Sequence, residues 1–206
     1  MEKLGVNFFK CFLYKSSEKI ISNEQFLTDL DSQIGDSDFG INLSRAFKIV
    51  KNNIKGENIG ELFKEAGEII MEQASGTFGT LLGSMFIRMS DFTLNKNEIT
   101  LEEFIIMFEE GVNWIENIGG AKMGDKTMLD ALIPFVKSLK NYKEKNIKNI
   151  FEDAIKAAYN GMNSTKDMIA KVGRGSYYGE RSKGHLDPGA VAIYLILKNF
   201  IECIQD

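Results

Sequence analysis

Histidine, cysteine and proline are scarce in this sequence of 206 residues, with one, two and two copies respectively. A zinc site needs more nitrogen or sulfur ligands than His185 and two distant cysteines can supply. Because Cys11 and Cys203 lie near opposite ends of the chain, no disulfide framework is expected, and the sequence predicts two reduced, buried thiols. A Ser-His-Asp triad would have to use His185, whose Gly-His-x-Asp-Pro-Gly turn favours a capping or orienting role instead.

An excess of positive charge and long apolar runs are also missing. The net charge is −4, which argues against a nucleic-acid partner because binding to a phosphate backbone needs a basic face. In residues 1–23, lysines and glutamates interrupt the apolar residues, unlike in a signal peptide, and no stretch reaches membrane-spanning length. The sequence therefore predicts a cytoplasmic protein with no membrane or nucleic-acid partner. Such an acidic protein can still bind a nucleotide if metal ions supply positive charge.

Apolar residues recur at helical spacing along most of the chain, whereas strand-like alternation is almost absent. Helix-start signals occur at the capping box Thr100 with Glu103, at Ser22 with Gln25, and at Asp187-Pro188. Other helices are predicted at about 5–20, 42–55, 59–73, 78–89, 128–142 and 148–172. Pro134 should kink the helix at 128–142. The prediction is an all-α bundle of about eight or nine antiparallel amphipathic helices, in a single domain over residues 1–206.

Four polar, glycine-rich loops separate the predicted helices. They are GDSDFGIN (35–42), QASGTFG (73–79), GGAKMGDKTM (119–128) and GRGSYYGERSKGHLDPG (173–189). In an antiparallel helical bundle, alternate loops lie at the same end. Loops at helix N-termini also present free backbone N–H groups and the positive end of the helix dipole. The sequence therefore predicts one phosphate- or nucleotide-binding rim.

Three aspartates, Asp31, Asp36 and Asp38, fall within eight residues of one another. Because Mg²⁺ prefers hard oxygen ligands, carboxylates that converge across a turn can bind it. On a continuous helix the first two would point apart, so Gly35 and Gly40 matter to this geometry. The alternative is a helix C-terminus followed by a new helix with an aspartate cap. A calcium EF-hand fits the segment poorly, because a glycine stands where a ligand belongs and the closing glutamate is missing.

The other loops offer candidates for binding and charge stabilisation. GDKT in 119–128 differs from a Walker P-loop because an aspartate precedes Lys126 and the preceding segment is helical. Arg174 and Arg181 are candidates to stabilise a phosphoryl group, the alternative being ordinary surface pairing with Glu180 or Asp187. Met128 could pack on a purine ring or simply belong to the core.

Together these loops resemble the nucleotide-binding subunit of dihydroxyacetone kinase, the DhaL family. The resemblance covers nearly the whole chain and rests on four segments in the family's order and spacing. They are LDSQIGDSDFGINLSRAF, ASGTFGT, GDKTMLDAL and GRGSYYGERSKGHLDPGA. It implies a closed barrel of antiparallel helices that binds ADP or ATP at one end through two magnesium ions.

The resemblance also implies roles for individual residues. The metal ligands match Asp31, Asp36 and Asp38, and Arg174 matches a catalytic arginine near the transferred phosphoryl group. The nucleotide-binding positions, to which Arg174 also belongs, match Phe39, Gly40, Ile41, Asn42, Ala74, Ser75, Gly76, Gly119, Met128, Asp187, Pro188 and Gly189. The family usually has histidine at the position of Phe39, so a polar phosphate contact is replaced there. Lys122 and Met123 also depart from the family's usual Glu-Pro before Gly-Asp-Lys-Thr.

The implied activity is phosphoryl transfer to dihydroxyacetone, which a DhaK-type partner subunit holds. A free-standing chain of this size resembles the phosphoenolpyruvate-dependent form, in which ADP stays bound as a coenzyme and a DhaM-type phosphohistidine protein supplies the phosphoryl group. A homodimer is possible within this family. Two alternatives stay open: an ATP-exchanging kinase subunit for another triose or polyol, and a nucleotide-binding regulator without activity, which Phe39 would favour.

Overall fold

The computed structural model describes residues 3–141 and 146–204, and within them the chain is almost entirely helical. Two short strands are present, β1 (Lys3–Gly5) and β2 (Glu98–Thr100). The α-helices are α1 (Val6–Ser22), α2 (Glu24–Ile34), α3 (Phe39–Asn53), α4 (Ile59–Gln73), α5 (Gly76–Phe92), α6 (Leu101–Gly119), α7 (Leu129–Leu139), α8 (Ile147–Ser164), α9 (Pro188–Leu197) and α10 (Asn199–Glu202). Two 3₁₀ segments cover Thr165–Asp167 and Arg174–Ser182. The all-α prediction is confirmed.

Two of the three predicted helix starts are correct, because their side chains satisfy free N–H groups of the first turn. Thr100 and Glu103 form the capping box of α6, and Asp187 accepts a hydrogen bond from Ala190 N–H at the start of α9. The third is wrong by one or two residues, since Ser22 ends α1 and α2 begins at Glu24. No helix in the described part of the chain is long and apolar enough to cross a membrane.

The helix predicted at 148–172 is too long. In the structure α8 ends at Ser164, and an irregular segment leads from there towards α9. At this end of the helix, the Oγ1 of Thr165 donates to Met162 O (2.6 Å). The predicted helix at 128–142 runs from Leu129 to Leu139 through Pro134, and its predicted end at 142 lies outside the described residues.

β1 and β2 form a two-stranded antiparallel sheet that the sequence did not reveal. Lys3 pairs with Thr100 and Gly5 with Glu98. Each strand has three residues, too few for the alternation of side chains on which strand prediction depends.

A cluster of phenylalanines forms part of the hydrophobic core between the helices. Phe200, fully buried on the short helix α10, stacks on Phe12 with ring centroids 3.8 Å apart. It also contacts the rings of Phe8, Phe104, Phe108, Phe135 and Phe151. Burying one such side chain stabilises a fold by about 1.5–3 kcal/mol. This cluster therefore fixes the C-terminal segment against α1 and its neighbours.

The expectation of two reduced thiols is wrong. Cys11 on α1 and Cys203, directly after α10, form a disulfide with their Cα atoms 5.7 Å apart, an ordinary separation for such a bond. The packing of α10 on α1 brings the two residues together. Because 192 positions separate them in sequence, spacing alone gave no sign of their contact.

Candidate functional site

A cavity of about 300 Å³ opens where the four glycine-rich loops meet. Every one of those loops contributes to its lining, together with the last turns of α2 and α6. The predicted site residues in the lining are Asp31, Asp36, Asp38, Phe39, Ser75, Gly76, Gly119, Met128, Arg174, Asp187, Pro188 and Gly189. Segments that are far apart in sequence thus share one pocket.

The three aspartates converge at one side of this cavity. Each offers a carboxylate oxygen, and these oxygens lie within 4.8 Å of one another. Asp31 is buried near the end of α2, and its Oδ2 accepts hydrogen bonds from the N–H groups of Asp38 (3.1 Å) and Phe39 (3.3 Å). Asp31 therefore satisfies free N–H groups at the start of α3, whereas the N-cap residue Asp38 makes no side-chain capping bond. A carboxylate has two oxygens, and capping by one leaves the other for a cation.

Two glycines make this convergence sterically possible. A Cβ at Gly35 would lie 2.0 Å from Asp31 Oδ1. A Cβ at Gly40 would lie 2.2 Å from the carbonyl oxygen of Glu24 and 2.4 Å from Thr28 Oγ1. Real Cβ atoms are essentially never found this close to another heavy atom. Gly35 thus allows the Asp31 carboxylate to approach the turn, and Gly40 allows α3 to pack closely on α2.

Arg174 pairs with the aspartate cluster. Its Nη1 contacts Asp36 Oδ1 and lies 3.2 Å from Asp38 Oδ1. The preceding Gly173 has a φ of +65°, a left-handed conformation that glycine adopts without steric cost. The O–H of Tyr178 donates to Gly35 O (3.2 Å) and joins the same loop to the aspartate turn. Arg174 therefore pairs with carboxylates of the site rather than with surface carboxylates elsewhere.

Arg181, the other candidate arginine, is placed differently. Its guanidinium lies over the ring of Tyr178, 5.6 Å from the centroid, a cation–π arrangement. Arg181 does not line the cavity. Its contact with Tyr178 fits a role in supporting the loop that carries Arg174.

The N-terminus of α5 provides the second polar wall. Ser75 is its N-cap residue, and Gly76 has a φ of +86°. Ser75, Gly76 and Thr77 line the cavity. Free N–H groups at a helix N-terminus, with the positive end of the helix dipole, are suited to phosphate oxygens.

Arg45 links α3 to the loop before α5. Its Nη2 donates to Asn42 Oδ1 (2.9 Å) and to Gln73 O (3.0 Å), and it lies 3.5 Å from Ser75 Oγ. This arginine was not predicted, because only the fold brings positions 45 and 75 together.

An aromatic pair forms part of the cavity lining. The rings of Phe39 and Phe78 meet edge to face with centroids 4.9 Å apart. Phe78 also lies against Gly189, where a Cβ would be 3.1 Å from its ring. At the position where the resemblance would place a histidine, this chain therefore has apolar packing.

Another part of the lining combines apolar residues with a half-buried carboxyl group. Met128 is 4% exposed and lines the cavity, so it belongs to both the core and the pocket. Asp187 Oδ2 accepts a hydrogen bond from Ala190 N–H (2.7 Å). Burial raises the pKa of Asp187 to about 7, and the nearby Asp130 carboxylate raises it too. The charge on Asp187 is therefore sensitive to pH near neutrality.

Four predicted nucleotide-binding residues are not in the lining. Gly40 packs on α2, Ile41 is about half exposed, Asn42 accepts the bond from Arg45, and Ala74 is buried. Conversely, the lining includes Thr77, Phe78 and Lys126, to which the sequence interpretation gave no binding role. Phe78 and Thr77 lie in the same loop as the predicted Ser75 and Gly76. A prediction that covered the whole loop would therefore have included them.

The fold and the site define an all-helical protein with a carboxylate-lined pocket suited to a phosphate ligand and a divalent cation. The chain belongs to the DAK2 domain family, whose model matches residues 33–202. This confirms the family resemblance expected from the four loops.

Similar proteins include ADP-binding subunits DhaL of PEP-dependent dihydroxyacetone kinases. The subunit of Escherichia coli (strain K12) is 36% identical over 192 residues, which cover 91% of this chain and 91% of that protein. The subunit of kinase 2 from Listeria innocua serovar 6a is 35% identical over 205 residues, covering 96% and 94%. These relatives are phosphotransferases, the enzyme class that the sequence predicts.

A solved structure shares the fold. It is that of the dihydroxyacetone kinase from C. freundii in complex with AMP-PNP and Mg²⁺, with a TM-score of 0.73 and 22% identity. The match covers 98% of this chain and 35% of that one.

Proposed function

We propose that this chain is the ADP- or ATP-binding, phosphoryl-transferring subunit of a dihydroxyacetone kinase. The observation that carries the proposal is the convergence of three carboxylates, Arg174 and the N-terminus of α5 on one cavity. The proposed acceptor is dihydroxyacetone on a DhaK-type partner, and the proposed donor is a DhaM-type phosphohistidine protein that acts on bound ADP. Relatives named as PEP-dependent subunits, matched over most of their length, support this form. We also propose that residues 1–206 act as one domain.

The donor set suits magnesium. Asp31, Asp36 and Asp38 provide hard oxygen ligands from one turn, and they leave room for water and phosphate oxygens, which Mg²⁺ usually retains in its shell. Two magnesium ions are proposed, and they would neutralise the charge that develops on the phosphates.

The remaining steps belong to residues of this chain. Ser75 and the first N–H groups of α5 hold phosphate oxygens. Phe78, Met128 and Pro188 provide apolar walls for the base. These side chains exclude water from that part of the cavity. Arg174, with five N–H donors and a permanent charge, stabilises the phosphoryl group during transfer. Because phosphoryl transfer depends mainly on positioning and charge stabilisation, these roles are sufficient for a subunit whose acceptor is held elsewhere.

Asp36→Asn tests the metal-binding role of the cluster. With both partner proteins and Mg²⁺ present, we expect its turnover to fall by at least about 100-fold, because the variant removes a charge that binds the metal. Asp91→Asn is the matched control, since Asp91 pairs with Arg88 on the surface, away from the cavity. Full turnover by Asp36→Asn would refute the proposed mechanism.

The nucleotide that copurifies with the protein distinguishes the possible forms. The protein is purified in Mg²⁺ without added nucleotide and denatured, and the released nucleotide is quantified by chromatography. Near-stoichiometric ADP is expected for a coenzyme retained through turnover. Empty protein that binds ATP reversibly and supports turnover would indicate an ATP-exchanging kinase, and binding without turnover would indicate a regulator.

A further inference from the structure

Lys126 is a buried lysine in the GDKT turn, with only 2% of its surface exposed. Its Nζ donates to the backbone carbonyl oxygens of Thr165 (2.7 Å), His185 (2.5 Å) and Met168 (3.4 Å). An ammonium group has three protons, and these three carbonyls account for them. Although Lys126 lines the cavity, its geometry is therefore that of a structural tie and not of a direct phosphate ligand.

The three carbonyls belong to the two ends of one long segment. Thr165 and Met168 follow α8, whereas His185 lies two residues before the N-cap of α9. Between them runs the loop that carries Arg174. Gly184 N–H donates to Lys166 O (2.7 Å), and Asp187 N–H donates to Thr165 Oγ1 (3.0 Å). Lys126 thus joins the base of this loop from the side of the GDKT turn.

The turn around Lys126 is itself rigidly held. Lys126 has a φ of +63°, an uncommon conformation for a residue with a side chain. Asp130, which is fully buried, accepts from Gly124 N–H (2.6 Å) and Thr127 N–H (2.7 Å) on either side of it. Burial lowers the pKa of Lys126, whereas Asp187 and Asp130 raise it. The network therefore presents the ammonium group to the three carbonyls.

We propose that Lys126 is a positioning residue for phosphoryl transfer, a role that rests on the proposed function. By tying both ends of the 165–187 segment, it places Arg174 against the aspartate cluster and holds Asp187 to Gly189 at the other wall. Loss of the tie displaces both walls at once. A misplacement of about 1 Å can reduce a transfer rate by about 100-fold.

Lys126→Met tests this role, because methionine keeps a similar length and removes all three donors. Lys48→Met is the matched control, since Lys48 is an exposed lysine that pairs with Glu24 away from the cavity. We expect Lys126→Met to bind Mg-ADP and adenosine about tenfold more weakly, and kcat with the partner proteins to fall further, by about 100-fold. Lys126→Gln, which keeps two N–H donors, should recover part of both losses.

Hydrogen exchange separates this proposal from a failure of the proposed function. In Lys126→Met the amides of 165–187 should exchange faster while those of α1 and α4 remain protected, whether or not the protein transfers a phosphoryl group. If Lys126→Met does not fold, Lys126→Gln undergoes the same measurements. Unchanged exchange in 165–187 would overturn the proposal. A loss of ADP binding with normal adenosine binding and normal exchange would also overturn it, because it would make Lys126 a direct phosphate ligand.

Discussion

Replacement of Gly35 by alanine should disable the proposed metal site while leaving the fold intact. The φ of Gly35 is −148°, so alanine is not excluded by a left-handed backbone. The obstacle is Asp31, whose Oδ1 would lie 2.0 Å from the new Cβ, with its Cγ at 2.7 Å and its carbonyl oxygen at 2.9 Å. Because Cβ contacts are essentially never below 3.0 Å, the carboxylate must move by about 1 Å.

The size of the effect follows from the contacts of Asp31. Its Oδ2 accepts two backbone hydrogen bonds, from Asp38 and Phe39, and a hydrogen bond to a charged group contributes about 1.5–3 kcal/mol. If the displaced carboxylate loses one of them, the free energy of unfolding falls by about 2 kcal/mol. A displacement of about 1 Å also exceeds the roughly 0.2 Å tolerance of a metal–ligand distance. We therefore expect Mg²⁺-dependent ADP binding to weaken by about 100-fold.

Calorimetric titration of ADP at fixed Mg²⁺ and urea unfolding measure the two effects. Gly5→Ala is the matched control, because a Cβ there meets only Asn97 O at 3.7 Å. It should bind Mg-ADP like the unmodified protein. If Gly35→Ala also retained this affinity, the Asp31 carboxylate would not be a required ligand, and the inference from its geometry would be refuted.

Two further predictions concern stability. Reduction of the Cys11–Cys203 disulfide, or Cys11→Ser, should lower the free energy of unfolding in urea by up to about 5 kcal/mol, because the bond closes a loop of nearly the whole chain; equal stability with and without reductant would contradict this. Burial raises the pKa of Asp187 from about 3.8 to about 7. The contribution of the protonated Asp187 carboxyl to the free energy of unfolding is therefore complete below pH 4 and is lost as the pH rises through 7. Asp187→Asn keeps an N-cap oxygen but cannot ionise, so its stability relative to the unmodified protein should increase from pH 5 to pH 8, and parallel urea-unfolding profiles would contradict this.

Local features of the sequence predicted most of the helices and the composition of the loops. The capping box at Thr100 and the Asp187-Pro188 start are determined by side chains within three residues of the backbone groups that they satisfy, so they can be recognised in sequence. The aspartate cluster is also local, since Asp31 and Asp38 belong to one turn and its flanking helices. Such features need no knowledge of the tertiary structure.

Contacts between distant segments could not be predicted in this way. The disulfide depends on the packing of α10 on α1, and the tie at Lys126 depends on carbonyls up to 59 positions away. In the sequence, Lys126 belonged only to a motif that differs from a Walker P-loop. Its function as a donor to backbone carbonyls has no sequence signature, because every residue has a carbonyl group.

Arg174 illustrates why sequence could only offer alternatives at the centre of the site. Surface pairing and charge stabilisation require the same residue type, and the choice depends on which carboxylates face it. In the structure these are Asp36 and Asp38, two members of the cluster proposed to bind magnesium. Carboxylates this close repel one another, and the guanidinium offsets that repulsion. In the proposed mechanism, cations would neutralise the same carboxylates and would free Arg174 for a phosphate, an oxyanion that its planar donors also fit. Under that proposal, the same charge would stabilise the aspartate cluster in the free protein and the phosphoryl group during transfer.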